Sequence, residues 1–164
     1  MPGTRLAMLW VALVVGAVAV SPMASAKGTG VVSSAPVVKV AFNAQLKKSI
    51  LVDGRGLTLY MYTADSAGKP ACYNDATYHC SKAWIPLRAA SAPKAGPGAT
   101  ASLLGVAPRT DGAAQVTYKG HPLYTAEGRN TFGLTPDKKP GDVNGQAFAG
   151  IWYVLSPKGA MITH

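Results

Sequence analysis

The stretch Gly56-Leu57-Thr58-Leu59-Tyr60-Met61-Tyr62-Thr63-Ala64-Asp65 decides the fold class. Leu57, Leu59 and Met61 alternate with Thr58, Tyr60 and Tyr62, a period of two that predicts a strand with one face in the core. It follows Ser49-Ile50-Leu51-Val52 and the turn signal Asp53-Gly54, so a hairpin is expected. The same period extends outward on both sides. Val38, Val40 and Phe42 alternate with Val37, Lys39 and Ala41 upstream. Downstream, Gln115 to Tyr118 turns at Lys119-Gly120 into Leu123-Tyr124-Thr125, and Ile151 to Leu155 turns at Pro157-Lys158-Gly159 into Ala160-Met161-Ile162. No window offers three turns of apolar helix period. The pattern predicts a mostly β single domain with at most short helices.

Two parts of the chain look alike. Gly56-Leu57-Thr58-Leu59-Tyr60 and Gly120-His121-Pro122-Leu123-Tyr124 share G-x-x-L-Y, and each precedes a tryptophan that starts an apolar run, Trp84-Ile85-Pro86-Leu87 and Trp152-Tyr153-Val154-Leu155. A duplicated hairpin-containing unit is implied: copy one at about 45–88, an Ala/Pro/Gly-rich connection at 89–104, and copy two at about 105–164. Units this small cannot each bury a core. They are expected to pack on one another as a small sandwich or barrel.

The N-terminus reads as a cleaved secretory signal over residues 1–26: Arg5, an apolar run from Leu6 to Val20, then Pro22 and the small residues Ala24-Ser25-Ala26. Residues 27–36 read as a flexible tether and 37–164 as the folded domain. The apolar run is shorter than a stable span needs, and no later segment is long enough to cross a bilayer, so no transmembrane anchor is expected after processing. The product is expected to be secreted or periplasmic in a bacterium. The formal net charge of +9 favours an anionic envelope component as partner. Lys47-Lys48 and Lys138-Lys139 are the only adjacent basic pairs, without the aromatic interleaving of a nucleic-acid surface, and nucleic acid is not expected.

Further residues resemble a family. Tyr60-Met61-Tyr62-Thr63-Ala64-Asp65, Gly68-Lys69, a cysteine pair ending four residues before Trp84, the run Arg109-x-Asp111-Gly112-x-x-Gln115-Val116-x-Tyr118-x-Gly120-x-Pro122-Leu123-Tyr124, Asp137-x-x-Pro140-Gly141-Asp142 and Gly150-x-Trp152 occur in this order. The order resembles the bacterial secreted repeats described as lipoproteins with a Y-x-[FWY]-x-x-D motif, a family without an established activity. This chain departs from the pattern in three ways. Cys72 and Cys80 are spaced apart, no lipidation cysteine is present, and the second copy has Ala126 in place of the motif's second aromatic, with an insertion before Asp137. The insertion is expected to displace that carboxylate.

The chemistry of the singled-out residues points to binding or structure. An exported chain with two cysteines should oxidise Cys72 and Cys80 to each other; a zinc site would need four ligands, and this segment offers those two and His79. Tyr60 and Tyr62 share one strand face, with Asp65 at the strand's end. They form either a tyrosine-sided sheet corner or a ligand surface for a sugar ring or a planar cation. Tyr60, Tyr62 and Asp65, with Tyr124 and Asp137, are the ligand-binding candidates. His79 and His121 lack the spacing of a metal pair and are only residual metal candidates. No catalytic residue, metal or cofactor is expected, because a lone carboxylate without a partner acid or base makes no hydrolytic site. The reading is an exported, non-enzymatic envelope or extracellular module. The alternative is an accessory in extracytoplasmic electron transfer or in metal or haem handling.

Overall fold

The computed structural model describes residues 1, 3, 35–75, 78–129 and 132–163. Most of the expected signal segment and tether, and His164, lie outside the described residues. The folded unit is mostly β, with strands β1 (Val37–Asn43), β2 (Lys48–Asp53), β3 (Tyr60–Tyr62), β4 (Ile85–Pro86), β5 (Lys94–Ala95), β6 (Leu104–Pro108), β7 (Ala114–Tyr118), β8 (His121–Pro122), β9 (Tyr124–Thr125) and β10 (Trp152–Val154). Among the described residues the helices are one turn of α1 (Cys80–Ala83) and one 3-10 turn (Ala101–Leu103). Three small sheets form, ordered β2-β1-β5, β10-β3-β9-β4 and β6-β7-β8. Among the described residues no barrel closes, and the sandwich half of the expectation is the one that fits.

In the four-stranded sheet the two G-x-x-L-Y segments lie side by side. Tyr60 is directly opposite Tyr124 in an antiparallel pair. The outer strands are exchanged: β10, which carries Trp152, pairs with β3, and β4, which follows Trp84, pairs with β9. Backbone bonds beyond the named strands repeat the arrangement. Leu59 N–H donates to Leu51 O and Leu51 N–H to Leu155 O, while Leu123 N–H donates to Val116 O and Val116 N–H to Leu87 O.

Both faces of these strands are buried, where the alternation led to one. Ile50, Val52, Tyr60, Tyr124 and Val154 enter one apolar cluster, and their neighbours Leu51, Leu59, Met61, Leu123 and Leu155 enter a second. The reason is visible in G-x-x-L-Y itself. Leucine and tyrosine are adjacent, so each strand offers an apolar side chain to either face. Phe42 departs in the opposite direction: it lies near the end of β1 and is 70% exposed. The connection at 89–104 is laid on β1 rather than hanging free, with β5 parallel to it. A Cβ on Gly98, where φ is +78°, would come within 2.8 Å of the Val40 Cβ, so glycine permits that approach.

Candidate functional site

Start from the motif tyrosines. Tyr60 is fully buried, and its hydroxyl donates to Asp137 Oδ2 at 2.7 Å. Tyr124 is fully buried too, and its hydroxyl donates to Asp65 Oδ1 at 3.2 Å. Each motif tyrosine therefore bonds the carboxylate that follows the other one. Each carboxylate is also held by backbone: Asp65 Oδ1 accepts from Ala71 N–H at 2.7 Å, and Asp137 Oδ1 accepts from Asn144 N–H at 2.9 Å. Burial pushes both phenols above their ordinary range, with the facing carboxylate adding to the effect. Burial likewise raises both acids, Asp65 to about 6. Asp65 Oδ2 is the one buried side-chain polar atom among the described residues without a hydrogen-bond partner.

The insertion before Asp137 does not displace the carboxylate, contrary to the expectation from spacing. Asp137 N–H donates to Ala126 O at 2.8 Å, and Asp65 N–H donates to Tyr62 O at 3.1 Å. Ala126 and Asp137 are bonded to each other across the base of the insertion, so the acid occupies the corresponding place. Glu127, at the start of the insertion, pairs with Arg55, which also pairs with Asp53.

Behind the tyrosines stand the tryptophans. Trp84 and Trp152 stack at 3.8 Å between centroids with 5° between planes. Tyr60 meets Trp84 edge-on at 5.3 Å, and Tyr124 meets Trp152 edge-on at 5.2 Å. Gly145 makes room for this cluster, since a Cβ there would lie 2.6 Å from Trp84 Cη2. Tyr62 breaks the correspondence. It extends the column, stacking on Trp152 at 4.3 Å with 10° between planes, whereas Ala126 at the matching place is small and fully buried.

Tyr62 opens onto a groove of about 220 Å³, whose aromatic lining is Tyr62, Tyr78, Trp84, Phe132, Phe148 and Trp152. Among the described residues no charged side chain lines it. Tyr78 and Phe132 are more than half exposed, a costly placement for large rings in water. The groove's walls are also strained. Of the six non-glycine residues with positive φ among those described, Lys47 and Lys119 are hairpin turns, and the other four surround this groove. Phe132 (φ 63°) and Ala149 (φ 51°) line it, Ala147 (φ 55°) adjoins Phe148, and His79 (φ 46°) lies between Tyr78 and Cys80. Left-handed backbone costs about 1–2 kcal/mol per such residue.

One wall is tied down covalently. Cys72 and Cys80 are joined by a disulfide, and Cys80 faces the groove. Arg109 fixes the inner end of that loop: its side chain is fully buried, with Nη2 donating to Cys72 O at 2.8 Å, Nη1 to Gln115 Oε1 at 2.6 Å, and its guanidinium over the Tyr73 ring at 4.3 Å. With both sulfurs bonded to each other, neither cysteine is a thiolate ligand. His79 is hydrogen-bonded to Asn74 at 3.0 Å, and His121 is half-buried on β8, where burial lowers its affinity for a proton. Among the described residues no three His, Cys, Asp or Glu side chains gather as a metal ion would require.

Of the ligand-binding candidates read from the sequence, only Tyr62 reaches this groove. Tyr60, Tyr124 and Asp137 are buried, and Asp65 is turned inward to Tyr124. Sequence reasoning missed Trp84, Trp152, Phe132, Phe148 and Tyr78 as site residues. The tryptophans were visible as the start of two apolar runs, a signal of core as much as of site. The other three stand in segments without periodicity, where nothing marks a groove wall.

No curated protein and no solved structure matches the chain. Residues 105–156, from β6 to the end of β10, match the family of secreted repeats of unknown function.

Proposed function

We propose that this chain is an exported, non-enzymatic binding module of the bacterial envelope or extracellular space, and that its ligand enters the groove beside Tyr62. One observation carries the reading: exposed aromatic rings stand on strained backbone around a groove whose floor is a stack of three buried or half-buried rings. A scaffold alone gains nothing from that strain, and such outliers cluster where ligands are held. The secreted-repeat match over 105–156 supports the exported location, and the A-x-A triplet at Ala24 to Ala26 supports processing after Ala26.

The two-copy organisation of residues 37–164 belongs to the same proposal. It is supported by the crossed Tyr60–Asp137 and Tyr124–Asp65 bonds and by the exchanged outer strands. In this reading the crossed bonds join the copies and the odd residue, Tyr62, supplies the site.

A screen of small aromatic, saccharide and anionic fragments tests it, following the indole N–H resonances of Trp84 and Trp152. Fragments that shift those resonances in the wild type and lose the effect in Tyr62→Leu support the groove. Fragments that bind without moving either indole place recognition elsewhere and contradict it.

A further inference from the structure

We infer that three adjoining turns, carrying Lys69, Lys119 and Lys158, form a docking surface for a flexible anionic polymer recognised by its charge density. The inference is independent of the groove beside Tyr62. The three lysines stand far apart in the sequence, and each is next to a glycine: Gly68-Lys69, Lys119-Gly120 and Lys158-Gly159. The fold brings the turns into contact. Gly68 N–H donates to Gly120 O at 2.9 Å. The third turn packs on Lys119 itself, where a Cβ on Gly159 would lie 2.7 Å from the Lys119 Cβ. Tyr118 ties the same junction, its hydroxyl donating to Pro157 O at 2.8 Å. All three lysines are exposed.

The charge at this place is not compensated by the chain. Among the described residues no carboxylate forms an ion pair with Lys69, Lys119 or Lys158. The acids are engaged elsewhere: on Arg55, on Arg88 and Arg109, on the motif tyrosines, and on backbone N–H groups of Tyr78, Lys138 and Lys139. Asp65, the acid nearest to Lys69 along the chain, is turned inward to Tyr124. The positive field reaches His121, whose proton affinity is lowered first by burial and then by the Lys119 charge. Lys119 also holds φ at +50°, where asparagine or glycine would sit with less strain. Like charges gathered without a counter-charge repel one another, and an anion relieves that repulsion.

The make-up of the turns selects the kind of anion. Lysine ammonium groups are mobile point charges without the planar fork of arginine, so they respond to charge density rather than to the geometry of one phosphate or carboxylate. Besides lysine, residues 66–69, 119–120 and 157–159 are only serine, alanine, glycine and proline. They offer no large apolar side chain to enter a membrane interface and no ring on which a base could stack. A flexible polymer with anionic groups repeated along it can meet all three turns at once. The backbone of the turns is already hydrogen-bonded, so mainly the lysine ends are ordered on binding.

The test titrates the purified protein with long-chain inorganic polyphosphate, with orthophosphate as a single anion and with phosphatidylglycerol vesicles as an anionic membrane, each at low and moderate salt. Two triple variants lose the same charge. Lys69→Gln with Lys119→Asn and Lys158→Gln removes the surface, asparagine being suited to the left-handed turn; Lys47→Asn with Lys48→Gln and Lys94→Gln removes lysines elsewhere. Polyphosphate is expected to bind the wild type with an affinity that falls as salt rises. The first triple variant should weaken it about tenfold and flatten the salt dependence, and the second should weaken it about twofold. If the first does not fold, Lys69→Gln and Lys158→Gln alone should each weaken polyphosphate about twofold. Equal losses in the two triple variants would reduce the effect to net charge and overturn the surface. Vesicle binding that depends on the three lysines and resists polyphosphate would make the occupant a membrane, and orthophosphate binding as tightly as polyphosphate would make it a single anion; either overturns the polymer. A wild type that binds no polyphosphate overturns the inference outright and leaves the groove reading standing.

Discussion

Tyr62 and Ala126 stand two residues after the facing tyrosines Tyr60 and Tyr124, and they differ in what surrounds them. Tyr62 stacks on Trp152 and lines an aromatic groove; Ala126 is fully buried in the apolar cluster with Leu134 from the insertion. The hydrogen bonding that frames the two positions corresponds. The hydroxyls of Tyr60 and Tyr124 each reach a carboxylate across the sheet, and each carboxylate's own N–H bonds the carbonyl of the residue compared, Tyr62 or Ala126. The difference separates two roles within one short motif. Its first tyrosine and its aspartate build the scaffold, and its second aromatic, where present, makes a surface.

The scaffold part of the comparison is tested by the largest effects. Trp84→Ala and Trp152→Ala each remove an almost fully buried indole from the shared stack and should cost about 3–5 kcal/mol in denaturant unfolding. A loss below about 1 kcal/mol at either would break the view of the stack as common core. Next in size is Ala126→Phe. At a fully buried site within the apolar cluster, it should overpack and cost about 1–3 kcal/mol, without generating a second binding place. A neutral Ala126→Phe that binds two ligand equivalents would erase the contrast with Tyr62.

Removing single hydroxyls sharpens the comparison further. Tyr60→Phe should cost about 1–3 kcal/mol, because Asp137, itself buried, loses a short hydrogen bond. Tyr124→Phe should cost less, since its bond to Asp65 is longer and Asp65 is only partly buried. Thermal melts of both variants check the order.

The smallest effect is one of pH. Asp65 is raised by burial to about 6 from an ordinary 3.8, so the folded state prefers its protonated form. Its contribution is fully present below about 4 and is lost as pH rises through about 6. Asp65→Asn mimics the neutral form, so its stability relative to wild type should improve between pH 4 and pH 7. Comparing the two proteins isolates this group from Glu127 and Asp111, whose acids are lowered by Arg55 and Arg109 and act in the opposite direction. A relative stability that stays flat or falls over that range would remove the assignment of Asp65 as a buried, costly carboxylate.

Much of the scaffold was legible in the sequence, and for stated reasons. The period of two around Leu57 to Tyr62 gave strands, Lys119-Gly120 gave the tight turn, and two cysteines in an exported chain gave the disulfide. The double-sided burial was written in the adjacent Leu59-Tyr60 and Leu123-Tyr124, yet a period-two template counts only one face. Spacing misled at Asp137, because a loop can bulge away and return without moving the residue at its end. The groove was the least legible part. Phe132, Phe148 and Tyr78 come from separate irregular segments, and only tertiary structure brings them together around Tyr62.

The division of labour between Tyr60 and Tyr62 is tested most directly by titrating an aromatic fragment that shifts the Trp84 and Trp152 indole resonances of the wild type into Tyr60→Phe and Tyr62→Leu, each held at a temperature where its circular dichroism remains native. Tyr60→Phe should bind as the wild type does despite its lowered melting temperature, and Tyr62→Leu should lose about tenfold in affinity with a far smaller change in melting. Equal affinities in the two variants, or a binding loss confined to Tyr60→Phe, would contradict the separation of scaffold from surface.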